Sequence, residues 1–311
     1  MTSMEPLQNT KLYGLESYHQ EITGLYDKKI LPTKILLSGK RGIGKSTLAY
    51  HIVNYILSKD EDYEYNQDNN TINNLNKSFK LIQNKCHPNF HLIDLLNDKK
   101  IIDVGQVRTA ITYANKSNFN DKPRFILIDN VENLNKNSTN ALLKIVEEPN
   151  NNIFFILIHN DQKNILSTLK SRCLTFKINL NFNEVIKITN SILNEDIHQL
   201  INIDLINFYS TPGEFIKLIN FSVDKKVDLK ETTIKDLLNL LIDSGYYKKN
   251  LYIKELLISF IELYFLRRYK LSNTKNSLIK TYHNFIYKVH NTYKYNLDEE
   301  SLFLEFKIKL L

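Results

Sequence analysis

The sequence is poor in several residue types that mark particular protein classes. It contains no tryptophan, two cysteines, six prolines and eight glycines in 311 residues. Two cysteines cannot build a disulfide framework or a four-cysteine metal cluster, so we expect neither disulfides nor zinc. No apolar run approaches the roughly 20 residues that span a membrane, and the first ten residues lack the pattern of a signal peptide. We therefore expect a cytoplasmic protein with no membrane partner.

The length and the charge of the chain limit the number of domains and the class of partner only loosely. A chain of 311 residues is long enough for about two domains of ordinary size, or for three small ones. The formal net charge is +7, and a basic balance favours acidic partners such as nucleic acid. Lysine, asparagine and isoleucine are abundant along the whole chain, so the positive charge can also reflect a general bias in composition rather than a binding surface.

Five short apolar runs in the first part of the chain are typical of strands that are buried on both faces. They do not alternate apolar with polar residues, and helical patterns separate them, which indicates a parallel sheet covered by helices. The predicted strands are 34–38, 90–95, 125–129, 153–159 and 174–178, and the predicted helices are about 46–58, 103–116, 136–147 and 163–170. The polar, Asn-rich run at 60–80 is predicted to be a surface insertion.

No strand pattern follows residue 179. Residues 182–222 suggest a small helical domain, in which Pro212 and Gly213 break the chain before a last helix. From about residue 231, apolar residues recur at helical spacing, which indicates a helical bundle. We predict three domains: a P-loop domain at 1–178, a helical lid at 179–222 and a helical bundle at 223–311.

Residues Gly39–Ser46 have the sequence GKRGIGKS and match the P-loop pattern G-x-x-x-x-G-K-[ST] between a strand and a helix. Gly39, Gly42 and Gly44 allow backbone N–H groups to turn toward phosphate oxygens. Lys45 is predicted to reach the β- and γ-phosphates of ATP, and Ser46 is predicted to bind Mg²⁺ through its hydroxyl.

A second pattern, Phe125–Asp129, places an acid at the end of an apolar strand. This is typical of a Walker B segment, in which Asp129 would orient Mg²⁺. ATPases of this kind usually place a glutamate next, but here the residue is Asn130, which cannot accept a proton from the attacking water. Glu132 is predicted to point elsewhere, since it lies two residues further along a turn or helix. Asn130 is also consistent with a turn or helix cap.

A third set of segments follows in a specific order. It comprises NALLKIVEEP at 140–149, the strand at 153–159 and TLKSRC at 168–173. In this order after a P-loop, the segments resemble those of the bacterial clamp-loader AAA+ family of DNA replication. The resemblance implies a P-loop domain, a helical lid and a helical collar that closes a pentameric ring.

The resemblance also implies residue roles. The nucleotide loop would comprise Gly39, Gly42, Gly44, Lys45, Ser46 and Thr47. Asn160 would occupy the sensor 1 position, and Arg172 would be an arginine finger that reaches toward the γ-phosphate of a neighbouring subunit. A guanidinium group suits this role because its planar fork keeps its charge. The implied partners are other loader subunits in a heteropentameric ring, a sliding clamp and primer–template DNA, for which Arg108 is the best single candidate contact.

Two departures from the family pattern bear on activity. The Cys-rich zinc module of the motor subunits is replaced by the Asn-rich run, and the sensor 2 segment at 210–217 contains Lys217 but no arginine. With Asn130, these departures favour a structural subunit that binds ATP but hydrolyses it poorly. The alternatives are an active ATPase motor of the same loader and an unrelated P-loop NTPase.

Overall fold

The computed structural model describes residues 5–96, 99, 101–116, 119–147, 152–161, 164–248, 250–272, 275–295 and 297–311. The chain forms two compact units. The first comprises residues 1–192 with 211–214, and the second comprises residues 193–210 with 215–311. No helix in the described ranges combines the length and the apolar character that crossing a membrane requires.

A five-stranded parallel sheet forms the centre of the first unit. Its strands are β1 (Lys34–Gly39), β2 (Phe90–Ile93), β3 (Arg124–Ile128), β4 (Ile153–Asn160) and β5 (Leu174–Lys177). They lie in the order β2-β3-β4-β1-β5, and every neighbouring pair is parallel. The predicted parallel sheet is therefore confirmed.

Both faces of the sheet are covered by apolar packing. Alternate residues of one strand belong to different core clusters, as Ile35 and Leu37 pack on one face and Leu36 packs on the other. All three side chains are at most 1% exposed. This double burial explains why the strands are continuous apolar runs rather than alternating ones.

Seven helices in the described part of the first unit surround the sheet. They are α1 (Glu16–Asp27), α2 (Lys45–Leu57), α3 (Lys77–Gln83), α4 (Val104–Ala114), α5 (Lys136–Glu147), α6 (Ser167–Lys170) and α7 (Phe182–Leu193), of which the last residue belongs to the second unit. A capping box between Asp103 and Gln106 starts α4. The buried guanidinium of Arg124 caps the carboxyl end of α4, where it donates to the carbonyls of Tyr113 and Ala114 at 2.9 and 3.1 Å.

The run at 60–80 lies largely at the surface, as predicted, but it is anchored in the core of the first unit. Tyr65, Ile72 and Phe79 are each at most 6% exposed and belong to the core cluster on one face of the sheet. Some asparagines of the run form hydrogen bonds within the chain. Asn76 is fully buried, caps α3 by accepting from the N–H of Phe79, and accepts a bond from Asn54. The asparagines of this run therefore form turns and a helix cap.

The predicted helix at 163–170 is too long. Lys163 lies outside the described residues, and α6 begins only at Ser167. Leu166 has an extended backbone, with φ −57° and ψ 130°, so the residues just before Ser167 do not continue a helix. Glu148 and Pro149 of the third motif also lie outside the described residues.

The second unit is helical. It contains α8 (Ile197–Leu200), α9 (Pro212–Lys225, from Phe215 onward), α10 (Ile234–Asp243), α11 (Leu251–Leu271), α12 (Lys275–Tyr295) and α13 (Glu299–Leu310). Its core includes Leu237, Leu257, Ile261 and Phe303, each at most 1% exposed. The predicted helical C-terminal region is thus confirmed. The division at 178 and 222 stays a prediction.

Candidate nucleotide-binding site

The P-loop occupies the carboxyl edge of the sheet. Gly39 ends β1 and pairs in register with Asn160, the last residue of β4. The loop then enters α2 at Lys45. Gly42 and Gly44 have φ values of +82° and +101°, which residues with a β-carbon rarely adopt. The predicted nucleotide loop therefore has the backbone that its glycines suggest.

The Lys45 ammonium is held within the loop. The side chain is 3% exposed, and Nζ donates to the carbonyl oxygens of Gly39 and Lys40, both at 2.7 Å. Burial lowers the pKa of Lys45 to about 8, and nearby carboxylates, of which Asp129 has the largest effect, oppose this shift. A phosphate group in the loop would supply the negative charge that favours the protonated form.

The two predicted magnesium ligands, Ser46 and Asp129, lie in direct contact. The Ser46 hydroxyl donates to Oδ2 of Asp129 at 2.7 Å. Burial raises the pKa of Asp129 to about 6, although the hydrogen bond from Ser46 acts to lower it. Hydroxyl and carboxylate oxygens are ligands that Mg²⁺ accepts beside a nucleotide. The donor set and the loop backbone therefore fit ATP with Mg²⁺.

The position of Glu132 differs from the prediction. Asn130 has a left-handed backbone with φ +64°, and it starts the 3₁₀ turn Val131–Asn133. This turn brings Glu132 to Asn160, whose side-chain amide donates to Oε1 at 2.9 Å and whose backbone N–H donates to Oε2 at 3.3 Å. Glu132 also acts on the pKa of Lys45. The expectation that Glu132 points away from the site is wrong.

The amide of Asn160 also donates to Oδ1 of Asn130. The sensor 1 candidate is thus bonded to Asn130 and Glu132, two of the residues that follow β3.

The other side of the P-loop is held by Thr211 and Gly213, which lie far along the chain from it. Thr211 Oγ1 donates to the carbonyl of Arg41 at 3.0 Å, and the N–H of Gly213 donates to the carbonyl of Gly42 at 2.9 Å. The backbones of the two glycines touch, since a β-carbon on Gly213 would lie 2.8 Å from Cα of Gly42. Neither contact was predicted, because a Thr-Pro-Gly sequence alone indicates only the start of a helix.

Two predicted residues, Thr47 and Arg108, lie outside this constellation. The Thr47 hydroxyl accepts a bond from Asn9 at 3.2 Å. The ammonium of Lys217 lies 4.8 Å from the ring centroid of Tyr252 in the second unit. Arg108 is exposed on α4, and its role in DNA contact stays a prediction.

Arg172 lies at the opposite edge of the sheet. It precedes β5, whose first residue, Leu174, is level with Ile35 near the start of β1. Gly39 lies four residues beyond Ile35, which corresponds to about 13 Å along the strand. The guanidinium donates from Nη1 to the carbonyl of Thr168 at 2.8 Å, and Nη2 pairs with Glu147 Oε1 at 2.8 Å. It is therefore separated from the chain's own P-loop by the length of the sheet.

A family model described as "DNA polymerase III, delta subunit" matches residues 15–181. This range is more than half of the 311 residues. The chain belongs to the DNA polymerase III delta-subunit family. Its resemblance to the clamp-loader AAA+ proteins is thereby confirmed, together with the expected α/β P-loop fold followed by helices.

Individual relatives carry the names of two subunit types. DNA polymerase III subunit gamma of Buchnera aphidicola subsp. Schizaphis graminum is 34% identical over 146 residues, which are 47% of this chain and 38% of that protein. Subunit delta-prime of the same organism is 29% identical over 163 residues, or 52% of this chain and 47% of that protein. The matched region therefore spans less than half the length of each of these two relatives.

A solved structure of a DNA polymerase III gamma-subunit-related protein from Thermotoga maritima is similar with a TM-score of 0.49 and 16% identity, covering 94% of this chain and 97% of that one.

Proposed function

We propose that this chain is a delta-prime-like stator of the DNA polymerase III clamp loader. In this role it binds ATP with Mg²⁺ at its own P-loop, hydrolyses it slowly or not at all, and supplies Arg172 to the nucleotide of a neighbouring subunit. The chain itself carries no polymerase chemistry. The observation that carries the proposal is the position of Arg172.

The position of Arg172 favours action in trans. Its guanidinium is tied to Thr168 and Glu147, which precede β5 and β4 and so belong to the amino edge of the sheet. Its own P-loop lies at the carboxyl edge, beyond reach of an arginine side chain. An exposed, permanently charged fork at that edge is suited to a phosphate presented by another subunit.

The chain's own site supports binding better than hydrolysis. Lys45 would contact the phosphates, and Ser46 with Asp129 would hold the magnesium ion, which neutralises phosphate charge. Asn130 offers no carboxylate to accept a proton from water. The amide of Asn160 is bonded to Asn130 and Glu132, so it would have to break those bonds to donate to a phosphate.

One observation favours the alternative, an active gamma/tau-like ATPase motor. The carboxylate of Glu132 lies beside Asn160, in the region where a general base would act. A base must lie within hydrogen-bond reach of the water that it activates, and the residue directly after Asp129, where that base is expected, is Asn130. The stator therefore remains the better-supported function.

The proposal includes the partners of the assembly. They are the gamma/tau and delta subunits in a heteropentameric ring, the sliding clamp, and primer–template DNA contacted through phosphates without reading sequence. The cytoplasmic location expected from the sequence is part of the same proposal.

The test is DNA-stimulated ATP turnover by a loader reconstituted with variant chains. Arg172→Ala should reduce turnover at the neighbouring site by roughly 10³-fold, the low end for loss of an arginine finger. Lys45→Ala should change turnover little. Lys170→Ala, which removes an exposed cation two residues from Arg172, is the matched control and should resemble wild type.

The opposite pattern, in which Lys45→Ala abolishes turnover and Arg172→Ala does not, would exclude the stator and restore the motor. Glu132→Gln adds a second test. It should leave turnover unchanged if the chain is a stator, whereas a large loss would identify Glu132 as a base.

A further inference from the structure

The third sequence motif contributes a side chain that the proposed function has not used. Glu147 is the last residue of α5, and its Oε1 lies 2.8 Å from Nη2 of Arg172. The other terminal nitrogen, Nη1, donates to the carbonyl of Thr168 at 2.8 Å. The guanidinium is thus held at two points supplied by different helices.

This arrangement fixes a direction as well as a position. A guanidinium is planar and has five N–H donors in a rigid fork. Two anchors, one on each terminal nitrogen, together with the covalent link through Nε, fix the plane of the fork, and its other N–H groups take no part in these two contacts. Without an anchor on Nη2, rotation about the bonds of the arginine side chain would move the fork away from that plane.

The pair has little value as a stability element. The side chains of Arg172 and Glu147 are 37% and 49% exposed, and exposed ion pairs contribute only about 0–1 kcal/mol. A substitution at Glu147 can therefore be studied without unfolding the chain. Any large effect on activity must come from the orientation or the charge of Arg172.

We infer that Glu147 is a positioning residue, which holds Arg172 in the direction from which it reaches the nucleotide of the neighbouring subunit. This inference rests on the proposed role of Arg172 in trans. The alternative is a restraint, in which Glu147 competes with phosphate for the guanidinium and lowers activity. The two roles predict changes of opposite sign.

The experiment uses the reconstituted loader and separates kcat from KM for ATP. Glu147→Ala removes the anchor and should lower kcat about 10-fold to 100-fold, because small displacements of a catalytic group have effects of that size. KM should change less than about twofold. Glu147→Gln keeps an oxygen that accepts from Nη2 and should recover most of the lost kcat.

A double variant tests whether Glu147 acts through Arg172. Because the two residues would act as one unit, Glu147→Ala combined with Arg172→Ala should be no slower than Arg172→Ala alone. Glu21→Ala is the matched control, since Glu21 is an exposed glutamate on α1. Its kcat should equal that of wild type.

The outcomes separate the inference from the proposal on which it rests. If Arg172→Ala leaves turnover unchanged, the proposed function fails and the inference fails with it. If Arg172→Ala reduces turnover but Glu147→Ala equals wild type or exceeds it, only the inference is overturned. A rise in kcat for Glu147→Ala would identify the pair as a restraint.

Discussion

The imidazole of His87 should make the first unit sensitive to acid. The side chain is 9% exposed. Its Nδ1 accepts from the backbone N–H of Asn89 at 3.0 Å, and its Nε2 lies 3.1 Å from the hydroxyl of Ser78. An accepting Nδ1 must be unprotonated, so the folded chain holds the neutral ring. Burial, the largest cause, lowers the pKa of His87 to about 4.

The magnitude follows from linkage between protonation and folding. Since the pKa of His87 is lower in the folded chain than the ordinary 6.5, the unfolded chain binds more protons between pH 6.5 and 4. Stability is therefore lost as the pH falls through that window. One such histidine accounts for about 2 kcal/mol of unfolding free energy between pH 7 and pH 5, at 1.36 kcal/mol per pKa unit.

The perturbation is His87→Asn, whose Oδ1 can still accept from the N–H of Asn89. We expect the variant to lose about 2 kcal/mol less than wild type between pH 7 and pH 5, even if it is less stable at pH 7. The assay is amide hydrogen exchange of β3, which reports the unfolding free energy of the first unit. His290→Asn, at an exposed histidine on α12, is the control. An equal pH-dependent loss in wild type and His87→Asn would refute the reasoning.

Three further predictions concern α4, the nucleotide site and DNA. Arg124→Lys should destabilise the first unit by about 2 kcal/mol or more, as measured by hydrogen exchange of α4. The reason is that one ammonium group cannot replace a guanidinium group that donates to the carbonyls of Tyr113, Ala114 and Lys116. Affinity for ATP with Mg²⁺, measured by calorimetry, should be highest between pH 6 and 8. The affinity should fall about tenfold by pH 5, as Asp129 is protonated, and about tenfold by pH 9, as Lys45 loses its proton. The variant Asp129→Asn should lose only the decrease in affinity at acidic pH. Arg108→Ala should weaken binding of the assembled loader to primed DNA and reduce the salt-dependence slope by about 0.9, and an unchanged slope would reject the contact.

The sequence was sufficient where one physical cause determined the structure. The buried strands follow from continuous apolar runs such as Phe125–Ile128, and the P-loop follows from glycines that need positive φ at Gly42 and Gly44. Parallel order then places Gly39, Asp129 and Asn160 at one edge. These parts of the fold and site could be predicted without coordinates.

The errors come from residues whose role depends on a single local turn. The left-handed backbone of Asn130 redirects Glu132, and no periodicity in the sequence encodes such a change. Asn66 and Asn73 close exposed turns, whereas Asn76 is a buried cap of α3, and the Asn-rich composition does not distinguish these roles. The Arg172–Glu147 pair joins two segments through tertiary packing, which composition and spacing do not contain.

The contacts of Thr211 and Gly213 with the P-loop determine which fragment of the chain can be studied in isolation. A fragment that ends at residue 192 contains all five strands of the sheet. It lacks the donors that satisfy the carbonyls of Arg41 and Gly42. The smallest piece that contains both donors therefore extends to Gly213, so truncation trials that follow strand boundaries alone would stop too early.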